Sequence, residues 1–197
     1  MVWLRVQIVF LLGLMGLVTA CQTPEPVILT ASPRGGVIDI RVASMDMVNE
    51  HRPQAVSPYI DHYYQPNLAT LLQQWGETTL RPVEKDGNLL MTVTKADLRE
   101  LDIASNDDLK SLFTNEQRKL VIADLSASFS FTHPENNQTA SLIVNTSYQT
   151  TIPDVITPAE ADRIRIHVMT EVISRFDAEF RHQIMSIEQP DGWPLVP

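Results

Sequence analysis

The chain is short of most residues that announce a specific chemistry. It has one cysteine, Cys21, so it can form neither an internal disulfide nor a multi-cysteine zinc site. Its 7 glycines and 13 prolines follow no triplet period, which excludes a collagen-like rod. Positive charge is scarce: 15 Lys+Arg stand against 24 Asp+Glu, a net charge of −9. That balance argues against nucleic acid or an anionic membrane surface as the main partner, because both reward clustered cations. Neither a dinucleotide-binding glycine motif nor a Walker loop occurs. The nucleophile elbow G-x-S-x-G, the zinc motif H-E-x-x-H and the Ser-x-x-Lys of penicillin-interacting enzymes are missing too. What remains is an ordinary globular composition, 44% hydrophobic and 20% charged, over 197 residues, a length that favours one domain.

The N-terminus reads as an address. Arg5 precedes an apolar run from Val6 that ends in the small residues Thr19 and Ala20. That is a secretory signal pattern, too short and too abruptly ended for a comfortable membrane span. Cys21 follows at once. The string Val18-Thr19-Ala20-Cys21 resembles the bacterial lipobox, in which the cysteine thiol takes a lipid and becomes the new N-terminus. Residues 1–20 would then be a lipoprotein signal peptide, leaving 14 Lys+Arg against 24 Asp+Glu, a charge of −10. The three acyl chains usual on such proteins anchor firmly where a single chain would not. Gln22 rather than Asp after the cysteine resembles the sorting signal for the outer membrane, with the protein facing the periplasm. Residues 21–36, broken by Pro24, Pro26, Pro33, Gly35 and Gly36, read as the lipidated cysteine and its tether.

Residues 37–187 read as a single domain. Val37 to Met45 alternates, with Ile38, Ile40 and Val42 on one face, as a half-buried strand does. An ordered loop with Pro53, Pro58 and Pro66 follows. Leu68, Leu71, Leu72 and Trp75 then recur at helical spacing, a helix started by Pro66. Strands are expected at 88–98, with Leu89, Met91 and Val93 inward, and at 120–132, with the odd-numbered residues from Val121 to Phe131 inward. A return strand at 139–151 carries Ala140, Leu142, Val144 and Tyr148. Leu109, Leu112 and Phe113 suggest a short helix between the first two of these strands, and residues 133–137 a turn. Thr157-Pro158-Ala159-Glu160 is a capping box opening a long helix, whose apolar stripe runs Ala161, Ile164, Val168, Val172, Phe176, Phe180 and Ile184. Residues 188–197 form a Pro-rich tail. The pattern predicts an α+β two-layer sandwich in the order β-α-β-β-β-α, with a mainly antiparallel sheet and both helices on one face.

Candidate sites are few. His51 and His62 share a loop with Glu50 and Asp61, but their spacing does not predict the convergence a metal needs, and a surface or packing role is expected. The cluster Tyr59, His62, Tyr63, Tyr64 and Trp75 is a candidate partner surface, or a set of rings pinning the loop to the first helix. The serine row Ser126, Ser128 and Ser130 is either a second contact face or a solvated sheet surface. No catalytic set and no metal or cofactor is expected beyond the covalent lipid on Cys21.

A lipobox followed by this order of elements resembles several small envelope lipoproteins. They include the lipopolysaccharide-assembly lipoprotein, the auxiliary lipoproteins of ABC-type lipid transporters, and activators of peptidoglycan synthases. The stretches Tyr64-Gln65-Pro66-Asn67-Leu68, Gln74-Trp75, Ser111-Leu112-Phe113-Thr114 and Thr157-Pro158-Ala159-Glu160 are similar to an uncharacterised family of proteobacterial lipoproteins. The resemblance implies no activity. The lipobox, the two-layer pattern and the missing catalytic sets together lead to the expectation of a non-enzymatic lipoprotein of the outer-membrane inner leaflet, acting as an accessory or docking subunit in envelope assembly or lipid transport, with an envelope protein as partner. The alternative is a binding module that activates a peptidoglycan-synthesis enzyme, for which a tether reaching at most roughly 50 Å is short.

Overall fold

The computed structural model describes residues 35–103, 117–133, 138–187 and 193–195. The signal segment, Cys21, the tether to residue 34, the expected short helix at 109–113 and the turn residues 134–137 lie outside them. The elements are β1 (Ile38–Ile40), β2 (Ser44–Asn49), α1 (Leu68–Thr79), β3 (Leu80–Pro82), β4 (Asn88–Asp102), β5 (Gln117–His133), β6 (Gln138–Pro153) and α2 (Pro158–Met185), with a 3-10 turn at Asp61–Tyr63. The fold is α+β. A four-stranded sheet in the order β2-β4-β5-β6 and a two-stranded β1-β3 sheet lie with both helices over one face.

The first strand differs from its expectation. Instead of one strand over 37–45, the chain makes β1 and β2, and the three-residue β3 was not foreseen. β1 runs parallel to β3, with Ile38 opposite Leu80; β2 runs parallel to β4, with Ser44 opposite Asn88. The sequence offset between partners thus grows by two residues between the pairs, and the slack is taken up at 83–87. Gly87 makes that possible: its φ is +88°, and a Cβ there would sit 2.8 Å from the Thr132 carbonyl oxygen. Parallel neighbours need a long crossover, and residues 50–67 with α1 supply it. The β4–β5 and β5–β6 pairs are antiparallel, as expected.

Alternation decides which sheet face is buried. Leu89, Met91 and Val93 of β4 point inward, a bulge between Val93 and Lys95 shifts the phase, and Ala96 and Leu98 then continue the buried row. The odd-numbered residues of β5 from Val121 to Phe131 are all buried, with Leu142, Val144 and Ile152 beside them from β6.

α1 begins at Asn67, whose Oδ1 accepts from the Thr70 N–H at 2.9 Å. Asparagine therefore caps the helix, and Pro66 precedes the cap. α2 starts on the expected capping box: Glu160 N–H donates to Thr157 Oγ1, and Thr157 N–H donates to Glu160 Oε2 at 2.8 Å. The helices meet the sheet through rings. Trp75 stands edge-on to Phe176 and Phe180 at 5.1 and 5.2 Å, while Phe129 lies 4.7 Å from Phe180. Trp75 Nε1 donates to Asp177 Oδ1 at 3.0 Å, and Arg181 Nε donates to Asp177 Oδ2, so the buried carboxylate is satisfied on both oxygens.

The C-terminal segment contributes a wedge that its composition did not signal. Trp193 is fully buried, edge-on to Phe131 and His133, and its Nε1 donates to the Arg41 carbonyl at 2.9 Å. Arg41 N–H donates to the Pro194 carbonyl, and Leu195 bridges to Ile40. Among the described residues no helix is long and apolar enough to cross a membrane.

Candidate functional site

The loop before α1 is held as a backbone extension of the sheet. Ile60 N–H donates to the Leu98 carbonyl, and Glu100 N–H donates to the Pro58 carbonyl, at 2.8 and 2.9 Å. This seats the expected ring cluster, and the structure splits it. Trp75 is fully buried in the core and takes no part in any surface. Tyr63 is 75% exposed, with the His62 ring 3.9 Å away and tilted. Tyr59 pairs through its backbone with Arg99. Tyr64 turns toward α2 and donates to Asp162 Oδ1 at 3.4 Å; burial pushes its phenol up to about 12. Tyr63 is the exposed remnant of the five, with the half-buried His62 beside it, and Tyr64 and Tyr59 are fasteners.

Beneath the loop lies a polar group assembled from distant positions. Asp61 is only 2% exposed, and its Oδ1 has no hydrogen-bond partner among the described residues. Burial raises its carboxyl above its ordinary value, against a bond from its own backbone and the influence of His51 and His62, while Asp97 adds to the rise. His51 Nδ1 lies 3.9 Å from Asp97 Oδ1. His51 Nε2 and His62 Nδ1 are buried without partners among the described residues. Asp61 therefore does lie among His51, His62 and Asp97 of β4, with His51 the one drawn to Asp97; Glu50 stays exposed. Among the described residues no three His, Cys, Asp or Glu side chains are arranged to hold a metal.

A third group sits where α2 starts. Glu100 accepts from Lys119 Nζ at 2.5 Å and from Arg165 Nε at 2.7 Å, and Arg165 also donates to Asp162 at 2.8 Å. Burial works to raise the Glu100 carboxyl, but the two cations outweigh it and hold it below its ordinary value. Beside this network opens a cleft of about 290 Å³, with Ile152, Ile156, Pro158 and Ala161 as apolar wall and Lys119 and Arg165 at its rim. Both cations already carry carboxylate partners, so the rim has no charge left over for an anion. Positions 100, 119 and 165 share no local pattern, which is why the network was invisible in the sequence.

The serine row lies on the outer sheet face. Ser126 and Ser128 are half-buried and Ser130 is exposed. Thr94 Oγ1 donates to Ser126 Oγ at 3.0 Å, and Asn88 Nδ2 donates to Asp46 Oδ2 at 2.8 Å. Short polar side chains thus bond to one another across the strands.

No protein-family model matches the chain, and no curated protein matches it. Its fold is similar to several solved structures. A rare lipoprotein B from Shewanella oneidensis is 10% identical with a TM-score of 0.40, over 74% of this chain and 99% of that one. A minor lipoprotein from Acinetobacter baumannii is 15% identical with a TM-score of 0.34, over 73% of this chain and 91% of that one. A protein from Helicobacter pylori described as a neuraminyllactose-binding hemagglutinin homolog is 12% identical with a TM-score of 0.39, over 79% and 96%. No residue role passes from any of them to this chain.

Proposed function

We propose that the chain is a non-enzymatic lipoprotein, anchored through lipid on Cys21 in the inner leaflet of the outer membrane and facing the periplasm. There it serves as an accessory or docking subunit in envelope assembly or lipid transport. The observation that carries this reading is the placement of the sole cysteine. It stands directly after an apolar run closed by Thr19 and Ala20, where its thiol is the one nucleophile able to form a thioether. The folded part suits the role: the Glu100 carboxylate is tied to Lys119 and Arg165, Asp61 is sunk beneath a pinned loop, and the outer sheet face around Ser126, Ser128 and Ser130 carries short polar side chains.

Metabolic labelling with a palmitate analogue tests the anchor. Wild-type chain should take the label, and Cys21→Ser should lose it and remain as unprocessed precursor. Label persisting on Cys21→Ser would overturn the reading. Affinity purification of the acylated protein from detergent-solubilised membranes tests the role, which predicts co-purification of envelope-assembly or lipid-transport subunits. Recovery with a peptidoglycan synthase instead would favour the activator alternative.

A further inference from the structure

The two edges of the four-stranded sheet are treated in opposite ways. At one edge stands β2, only six residues long and carrying Asp46, and most of the β4 side away from β5 is covered. β2 pairs with β4 from Asn88 to Val93, Glu50 and His51 both donate to the Val93 carbonyl, and Pro58–Ile60 pairs with it around Leu98–Glu100. Among the described residues, the only strand paired with β6 is β5, so the other edge of β6 carries an unpaired row of backbone donors and acceptors.

An edge of that kind invites pairing, and folded proteins blunt it with charges, prolines, bulges or short length. β6 uses none of these. It is 16 residues long, and its sequence Gln138-Thr-Ala-Ser-Leu-Ile-Val-Asn145-Thr-Ser-Tyr-Gln-Thr-Thr-Ile-Pro153 holds no Lys, Arg, Asp, Glu or Gly, and no proline before its last residue. Its pairing with β5 runs without interruption from Lys119↔Ile152 to His133↔Gln138. Ile143, at the middle of the strand on the outer face, is 60% exposed. In a chain with 39 charged residues, this long strand edge, open among the described residues, is kept free of charge.

We propose that this edge is a docking surface for a second copy of the chain, the two β6 strands pairing antiparallel about a two-fold axis near Asn145 to make one eight-stranded sheet. The charge pattern selects this occupant. A protein of net charge −9 repels its own copies over most of its surface, and an isologous contact sets each residue against a symmetry mate, so the edge suited to a second copy is one without charge. A register centred on Asn145 sets Ile143 against Ser147, Leu142 against Tyr148 and Thr139 against Thr151, and no pair opposes two charges. Tyr148 is backed by Arg175, whose guanidinium lies 4.4 Å from the ring centre, so the partner would meet an ordered side chain.

Cysteine scanning of the full chain in its native membranes tests this. Ile143→Cys, Asn145→Cys and Ser147→Cys are made singly, with Asp46→Cys on the opposite side of the sheet and the wild type as controls, and each is oxidised with copper phenanthroline. All four substituted positions are exposed, so the fold should be undisturbed. The expected result is a band at twice the monomer mass that peaks at one position of the 143–147 series and is at background in both controls. Adding lysine two residues to either side of the peak position (Ile143→Lys with Ser147→Lys around 145, Ser141→Lys with Asn145→Lys around 143, Asn145→Lys with Gln149→Lys around 147) should abolish that band, because the register centred there sets the two introduced amines against each other across the axis. Three outcomes would overturn the proposal: a scanned series no stronger than Asp46→Cys, a band insensitive to edge lysines, or a cross-link to a protein of different mass.

Discussion

Replacing Phe176 by alanine removes the ring on which both helices and the sheet converge. Phe176 is fully buried, 5.1 Å from Trp75 in an edge-on contact and 6.2 Å from Phe129. Truncating a buried phenylalanine costs about 3–5 kcal/mol, the spread depending on how far the site can collapse. Here collapse is opposed on two sides: Trp75 is fixed by its bond to Asp177, and Phe129 sits in the middle strand pair. The expected loss is therefore in the upper half of that range, about 4 kcal/mol. With a urea dependence of about 2 kcal/mol per molar, the midpoint should fall by about 2 M. Arg175→Ala is the matched control one residue away. Its side chain is 51% exposed, and it forfeits a cation–π contact with Tyr148 and an i,i+4 pair with Glu171. Together these are worth about 1 kcal/mol. Equilibrium urea melts of the two variants decide the matter. If Phe176→Ala shifted the midpoint no more than Arg175→Ala, the stripe on α2 would not be the clamp between the layers, and the reasoning from burial would fail.

Three further outcomes follow from the polar groups and the C-terminal wedge. Because burial raises the folded-state pKa of Asp61, its ionisation opposes folding above the unfolded value of 3.8; Asp61→Asn should be more stable than wild type at pH 7, with the advantage fading below about pH 4, and a loss of stability at pH 7 would show an ionised, paired carboxylate instead. Glu100 is depressed, so its contribution is present above its ordinary value of 4.5 and is lost as pH falls through the folded value; Glu100→Gln should cost about 1.5–3 kcal/mol at pH 7 and progressively less in acid, read by melts across pH. Trp193→Ala should cost about 3–5 kcal/mol in a urea melt, and a change below about 1 kcal/mol would remove that residue from the core.

The parts of this fold that were legible are those in which one residue's neighbours along the chain carry the information. β5 alternates strictly because one face meets the helices and the other meets solvent, and every inward residue from Val121 to Phe131 is buried. The Thr157–Glu160 box needs only four consecutive residues, and it is formed in full. The partners of the first strands were not legible, although the β5–β6 hairpin was. Ile38, Ile40 and Val42 alternate whether the strand runs on or breaks, so period two could not show that β1 pairs with β3 and β2 with β4, nor that both pairs are parallel. A lone tryptophan among prolines has no period at all, and Trp193 was unreadable for that reason. The gathering of His51, His62 and Asp97 about Asp61 depends on where the loop docks on β4, a contact set by backbone bonds at Leu98 and Glu100. In the expected ring cluster, spacing put Trp75 beside the tyrosines, whereas the helical face turned it to the interior.

The hydrogen bond from Arg181 Nη2 to the Gly36 carbonyl, 2.6 Å long, gives the molecule a polarity along its length. It fastens Gly36, at the start of the described chain, to the last turns of α2, and the Trp193 wedge locks against Arg41 near the same start of the fold. Arg165, with the Glu100 network and the cleft, lies sixteen residues up the same helix, about 24 Å along its axis. For a chain held at Cys21, one end of the helix is the root and the other the tip. On the proposed anchor, residues 21–36 fully extended would let the tip reach at most roughly 50 Å plus that helical distance, with the root kept within the first of these spans. Deleting tether residues would draw the tip inward by up to about 3.5 Å apiece and leave the folded part intact. Any partner that grips the tip therefore fixes how far from the bilayer it must itself stand.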